Sequence, residues 1–169
     1  MTVAELDRLP EPQAREALTA CCGAEVWVRG MLAARPFGDR DALFAAADRV
    51  WGSLPAAEVA QAIAHHPRLG ESAARAALSA LERRWSAGEQ SGAAVSAADV
   101  RAALAAGNDA YEQRFGHTFI LCATGLDAAQ MLAALEQRLK NDPDVEHAIT
   151  ARELHRIIRL RLEKLLENA

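Results

Sequence analysis

Apolar residues along this chain recur three and four positions apart, and proline, glycine or a capping residue interrupts each run. That is the period of helices packed on one face. Thr2 is placed to cap a short helix over 3–8, which Pro10 and Pro12 end. A second helix is predicted from about Pro12 to Cys22, with Gly23 as its stop. In AEVWVRGMLAARPF, Val26, Met31 and Leu32 stand at helical spacing beside Trp27, and Pro36 closes the run. DRDALFAAADRVWGSL opens on acidic residues and lays Leu43, Phe44, Ala47, Val50 and Trp51 on one stripe. Pro55 opens PAAEVAQAIAHH, a helix that closes at His66.

Ser72 is placed to cap the next helix, through Ala77, Leu78, Leu81 and Trp85, with a bend or break near GEQSG. Ser96 caps a long one through Val100, Leu104, Asn108 and Tyr111 to about Phe115, where Gly116 ends it. HTFILCATG is the single β-like run, and a lone strand has nothing to pair with. It is expected as an extended segment near 117–122 with its backbone groups available. Asp127 starts another helix (Met131, Leu132, Leu135, Leu139), and Pro143 starts the last, carrying Leu154, Ile157, Ile158, Arg161 and Leu162. No linker or repeat divides the chain. The expectation is an all-α, single-domain bundle of about eight helices over residues 1–169.

Composition narrows the partners. Apolar residues make up 51% and charged residues 25% of the 169, and β-branched residues are few, which favours helices. A net charge of −4 argues against nucleic acid, which needs a basic face. No apolar run approaches the roughly 20 residues that cross a bilayer. The acidic start MTVAELDRLPEPQ does not read as a signal peptide, and LLENA carries no address, so a cytoplasmic location is expected. Cys21, Cys22 and Cys122 form no CxxC pair and read as reduced, packed thiols rather than nucleophiles.

The candidate chemistry centres on AIAHHPRLG. Pro67 pushes the residue before it out of the helical region, so His66 is expected to project from a corner. An imidazole there suits proton transfer near neutral pH; equally, it can be a solvated or hydrogen-bonded structural side chain. His65 and His66 with Glu89 could suggest a metal-dependent hydrolase. Adjacent histidines point apart, however, and no HExxH accompanies them, so no metal is expected. Ser86 and Glu89 share a helix face and can grip a polar ligand or orient an imidazole, but the same spacing is a capping box. Gln90 adds an amide to that turn. Arg161 lies on an apolar stripe, where it can clamp a carboxylate or simply snorkel to the surface. Asn108, Tyr111 and Phe115 read as a packing set.

Taken together and in order, CCGAEVWVRGMLAARPF, HPRLG, SAGEQSGA, NDAYEQRFGHTFILCATG and RIIRLRLEKL resemble the family of 2-oxo-4-hydroxy-4-carboxy-5-ureidoimidazoline (OHCU) decarboxylase. The resemblance runs from about Cys21 to Leu166. It implies an all-α homodimer without metal or organic cofactor, converting OHCU to (S)-allantoin in urate catabolism. It also implies His66 and Glu89 as the catalytic pair, and Pro67, Ser86, Gln90 and Arg161 as substrate-binding residues, with Arg159 as a register alternative to Arg161. The FG-x-x-F pattern falls on Phe115, Gly116 and Phe119, and the resemblance implies ligand contacts from the backbone of Phe119, Ile120 and Leu121. Gly23-Ala24 departs from the family, whose members often carry a serine there; the position reads as structural. The competing expectation is a non-catalytic helical ligand-binding or dimerisation module on the same scaffold.

Overall fold

The computed structural model describes residues 1–64, 66 and 97–167. Among them are eight helices and no strand: α1 (Val3–Arg8), α2 (Glu11–Cys21), α3 (Glu25–Ala33), α4 (Arg40–Gly52), α5 (Ala56–Ala64), α6 (Ala97–Phe115), α7 (Ala128–Arg138) and α8 (Pro143–Glu167). The all-α expectation holds, and the extended segment near 117–122 is neither helix nor strand. The helix expected from Ser72, and Pro67, Ser86, Glu89 and Gln90 with it, lie outside the described residues, as does His65. No described helix is long and apolar enough to cross a membrane.

The chain forms two compact units: residues 1–66 with 151–169, and residues 67–150. In the first, local chemistry sets the helix ends. Thr2 Oγ1 accepts from the Glu5 amide at 3.2 Å while Glu5 Oε2 accepts from the Thr2 amide at 2.7 Å, a reciprocal cap on α1. Arg35 Nη2 donates to the carbonyls of Leu6, Asp7 and Leu9 at 2.6–2.8 Å, satisfying the far end of the same helix. Asp39 caps α4 through the Ala42 amide at 2.8 Å.

The face that α3 buries differs from the expected one. Trp27, Val28 and Met31 are fully buried, whereas Val26 and Leu32 are only half-buried. On α4 the predicted stripe is buried at Leu43, Phe44, Ala47 and Trp51, with Val50 half-buried. Gly30 explains Val50: a Cβ built on Gly30 would lie 2.6 Å from Val50 Cγ1. The absent side chain lets α3 and α4 approach closely. Gly30→Ala should therefore destabilise the protein by about 1–2 kcal/mol, overpacking outweighing the roughly 1 kcal/mol helix-propensity gain. Urea unfolding checks it; an unchanged or raised midpoint contradicts this account.

In the second unit α6 packs on α7 around Val100, Leu104, Tyr111, Phe119, Leu121, Met131 and Leu135. Gly116 ends α6 with φ +75°, its amide donating to the Glu112 carbonyl at 2.9 Å. Asp127 caps α7 through a reciprocal pair with Gln130, both bonds 2.9 Å.

Candidate active site

His66 lies in a bend two residues past the end of α5. Its amide donates to the Ile63 carbonyl at 3.1 Å, a tightened last turn that fixes the corner. The side chain is half-buried. Burial first, and the positive charge of Arg161 second, lower the imidazole pKa from 6.5 to about 4. At neutral pH His66 is therefore uncharged and has a ring nitrogen able to accept a proton.

Arg161 sits on α8 beside Ile158 and Leu162, both fully buried. Its Nη1 donates to the Cys21 carbonyl at 3.2 Å. Cys21 ends α2, whose last turn carries no basic residue of its own. Arg161 thus supplies the positive charge that a helix C-terminus favours, and among the described residues this is the one hydrogen bond its fork makes. Arg159, the register alternative, is otherwise engaged. Its Nη1 donates to Asp48 Oδ1 at 2.5 Å, and its guanidinium covers the Phe44 ring at 4.9 Å. Asp48 also faces His155 Nε2 at 3.1 Å, and His155 stacks on Trp51 with ring centroids 5.7 Å apart.

Both adjacent thiols are buried and held protonated. Burial pushes Cys21 up to about 11, Arg161 opposing the rise and Cys22 adding to it. Cys22 is raised too, again chiefly by burial. Neither supplies a thiolate at neutral pH, in line with the sequence reading of packed cysteines.

Phe119, Ile120 and Leu121 belong to the second unit and are all buried. None of the three makes a backbone–backbone hydrogen bond among the described residues. The tether is a side chain: Arg138 Nη1 donates to the Ile120 carbonyl at 2.6 Å, and the same guanidinium lies 4.6 Å from the Phe119 ring centroid.

Arg138 is itself buried and anchors a polar cluster that the sequence reading did not identify. Its Nε donates to Glu146 Oε1 at 2.8 Å and its Nη2 to Thr150 Oγ1 at 2.8 Å. The Tyr111 hydroxyl donates to Glu146 Oε1 and lies 3.1 Å from Thr150 Oγ1. Asn141 Nδ2 donates to Glu146 Oε2 at 2.7 Å. Burial alone would raise the Glu146 pKa, but the bonds from Arg138, Tyr111 and Asn141 outweigh it and hold the carboxyl below its ordinary value. Tyr111 is pushed up to about 12, by burial first and then by its bond to Glu146. A sequence signal existed: Arg138 continues the apolar stripe of Met131 and Leu135, and Glu146 and Thr150 stand four apart on α8.

Within the first unit, then, Arg161 acts electrostatically on His66, and Arg159 is paired elsewhere. Among the described residues no group of three or more histidine, cysteine, aspartate or glutamate side chains is arranged to hold a metal.

Known proteins share this sequence and fold. The sequence profile described as OHCU decarboxylase matches residues 7–163. The "Uric acid degradation bifunctional protein TTL" of Arabidopsis thaliana is 34% identical over 149 residues, which are 88% of this chain and 46% of that protein. The "2-oxo-4-hydroxy-4-carboxy-5-ureidoimidazoline decarboxylase" of Amia calva is 32% identical over 147 residues, 85% of this chain and 79% of that one. The chain thus spans about half the length of the first relative and most of the second. A crystal structure of OHCU decarboxylase in the presence of (S)-allantoin matches with a TM-score of 0.70 at 27% identity, over 88% of this chain and 96% of the other. An (S)-allantoin synthase structure shares the fold with a TM-score of 0.72 at 18% identity, over 98% of this chain and 54% of the other. With the family profile running through both compact units, the chain belongs to the OHCU decarboxylase family.

Proposed function

We propose that this chain decarboxylates OHCU to (S)-allantoin without a metal or organic cofactor. In this reading His66 and Glu89 handle protons, and Pro67, Ser86, Gln90, Arg161 and the backbone of Phe119, Ile120 and Leu121 hold the substrate. The observation that carries it is an uncharged, half-buried His66 under the influence of a cation, Arg161, whose fork makes one hydrogen bond among the described residues. The family relation supplies the substrate.

The chemistry asks little more. The departing carboxylate of OHCU sits on C4, which also bears a hydroxyl, next to the ring carbon–nitrogen double bond. When the C4–CO2 bond breaks, its electron pair forms a C4–C5 double bond and the carbon–nitrogen pair moves onto the ring nitrogen, which takes a proton from solvent, so the substrate carries its own electron sink. Loss of the hydroxyl proton makes the C4 carbonyl, and protonation at C5 completes allantoin. A neutral imidazole can take the first proton and, once charged, deliver one to a single face of C5. Arg161 offers a planar fork to the substrate carboxylate. The engagement of Arg159 by Asp48 supports Arg161 over its register alternative.

Circular dichroism of freshly generated OHCU tests the proposal. The purified chain should build up the (S)-allantoin signal; racemic product at the spontaneous rate would refute it. Arg161→Gln sharpens the test. Removing the cation raises the His66 pKa from about 4 towards, but not to, 6.5, because burial, the larger cause, remains. Proton NMR titration of His66 reads that shift, and KM for OHCU should rise at least tenfold. A pKa and KM both unchanged would remove Arg161 from the site.

We extend the same reading to organisation: one OHCU decarboxylase-like domain over residues 1–169, acting as a homodimer in the cytoplasm. The profile match through both units supports the single domain. Light scattering giving one chain mass instead of two would overturn the dimer.

A further inference from the structure

As a proposed substrate contact, the backbone of Phe119, Ile120 and Leu121 has to be held in register. An extended segment outside any sheet has no ladder to fix its peptide planes. Phe119, Ile120 and Leu121 make no backbone–backbone hydrogen bond among the described residues. Arg138, eighteen positions later, reaches the Ile120 carbonyl at 2.6 Å.

We propose that Arg138 is a positioning residue for the reaction: by holding the Ile120 carbonyl it fixes the following peptide so that the Leu121 N–H is presented to the substrate. The inference rests on the proposed role of 119–121. Its geometry follows from the planar trans peptide, in which carbonyl and following N–H point in opposite directions. With the Ile120 oxygen turned onto Arg138, the Leu121 N–H must face away from Arg138, and it donates to no described residue.

Arg138 suits this task better than a lysine would. One edge of its fork is held by Glu146, 2.8 Å from Nε and 2.6 Å from Nη2, and by Thr150, 2.8 Å from Nη2. The Phe119 ring lies against its face at 4.6 Å. Nη1 is therefore aimed at the Ile120 carbonyl by the rest of the cluster, with no rotamer freedom left to lose. Preorganised donors of this kind matter because small misplacements at a reacting centre cost about 100-fold in rate.

Arg138→Lys keeps a charge beside Glu146 but cannot serve Glu146, Thr150 and the Ile120 carbonyl in one geometry. With far-UV circular dichroism unchanged, KM for OHCU should rise at least tenfold and the enantiomeric excess of the allantoin should fall. Gly30→Ala, in the other unit, serves as a destabilised control and should keep KM and enantiomeric excess within twofold of wild type. If Arg138→Lys does not fold, Arg138→Gln/Glu146→Gln carries the same readouts with a neutral pair. Wild-type KM and enantiomeric excess in a folded Arg138 variant overturn the proposal, as does equal loss in Gly30→Ala. Labelling wild-type protein with ¹⁵N-leucine separates the premise. A Leu121 amide that shifts on adding (S)-allantoin supports the contact, and one that does not removes the role of 119–121 itself.

Discussion

Replacing His66 with asparagine should lower kcat on OHCU by about 100- to 10,000-fold, the range that one positioned acid–base group contributes. Asparagine preserves polarity and the corner's hydrogen bond from the His66 amide to the Ile63 carbonyl, 3.1 Å in wild type. What it removes is a group able to take a proton. The remaining turnover would be spontaneous, and spontaneous protonation has no preferred face, so the circular dichroism of the product should vanish along with the rate. The pH behaviour follows from the same residue. Burial and then Arg161 hold the His66 pKa at about 4 rather than 6.5, so the free enzyme keeps its base neutral between pH 5 and 8. The kcat/KM profile should lack the inflection near 6.5 of an ordinary imidazole. Stability carries a related signature. A histidine held neutral in the folded state binds fewer protons than in the unfolded chain, so it costs stability as pH falls from 6.5 towards 4. His66→Asn should lose that component of the acid sensitivity while losing activity at every pH. A variant as fast and as stereoselective as wild type would end the assignment of His66.

Most of the secondary structure was legible because its signals are local. Thr2, Asp127 and Pro143 mark helix starts, and Gly116 marks a helix end with a positive φ that favours glycine. The corner at His66 was legible for the same reason, since Pro67 acts on its immediate neighbour. Two things were not. On α3 the buried face includes Val28 in place of Val26, because neighbouring helices decide which side of Trp27 is covered and periodicity alone allows either. The cluster around Arg138 joins α6, α7, α8 and the extended run, and no single stretch announces it. Arg161 and Arg138 present the same pattern, an arginine on an apolar stripe. Only tertiary structure separates one that donates to a helix end from one whose donors are spent on Glu146, Thr150 and a backbone carbonyl.

That cluster is also sensitive to the loss of a single partner. Glu146→Leu should destabilise it by about 3–5 kcal/mol, because the buried Arg138 then loses the carboxylate that neutralises it. Arg138 is 6% exposed and Glu146 0%, so water cannot substitute for either partner. Tyr111 and Asn141 lose their acceptor at the same time. The double variant Arg138→Met/Glu146→Leu should recover much of the loss, since no charge is then left unpaired and both side chains pack as hydrocarbons. It should not recover the substrate affinity, because the Ile120 carbonyl remains without its donor. Acid acts on the same pair. Glu146 titrates below its ordinary carboxylate range in the folded protein, so its stabilisation is complete above the unfolded pKa of about 4.3 and is lost as pH falls through the folded value. Wild-type stability should therefore drop further below about pH 4, and the double variant should show a shallower slope there. Urea denaturation at pH 7 and pH 3.5 measures both effects. If the double variant were no more stable than Glu146→Leu at pH 7, unpaired charge would not be the cause. The loss would then lie in packing around Tyr111 and Phe119, whose rings meet edge to face at 5.1 Å.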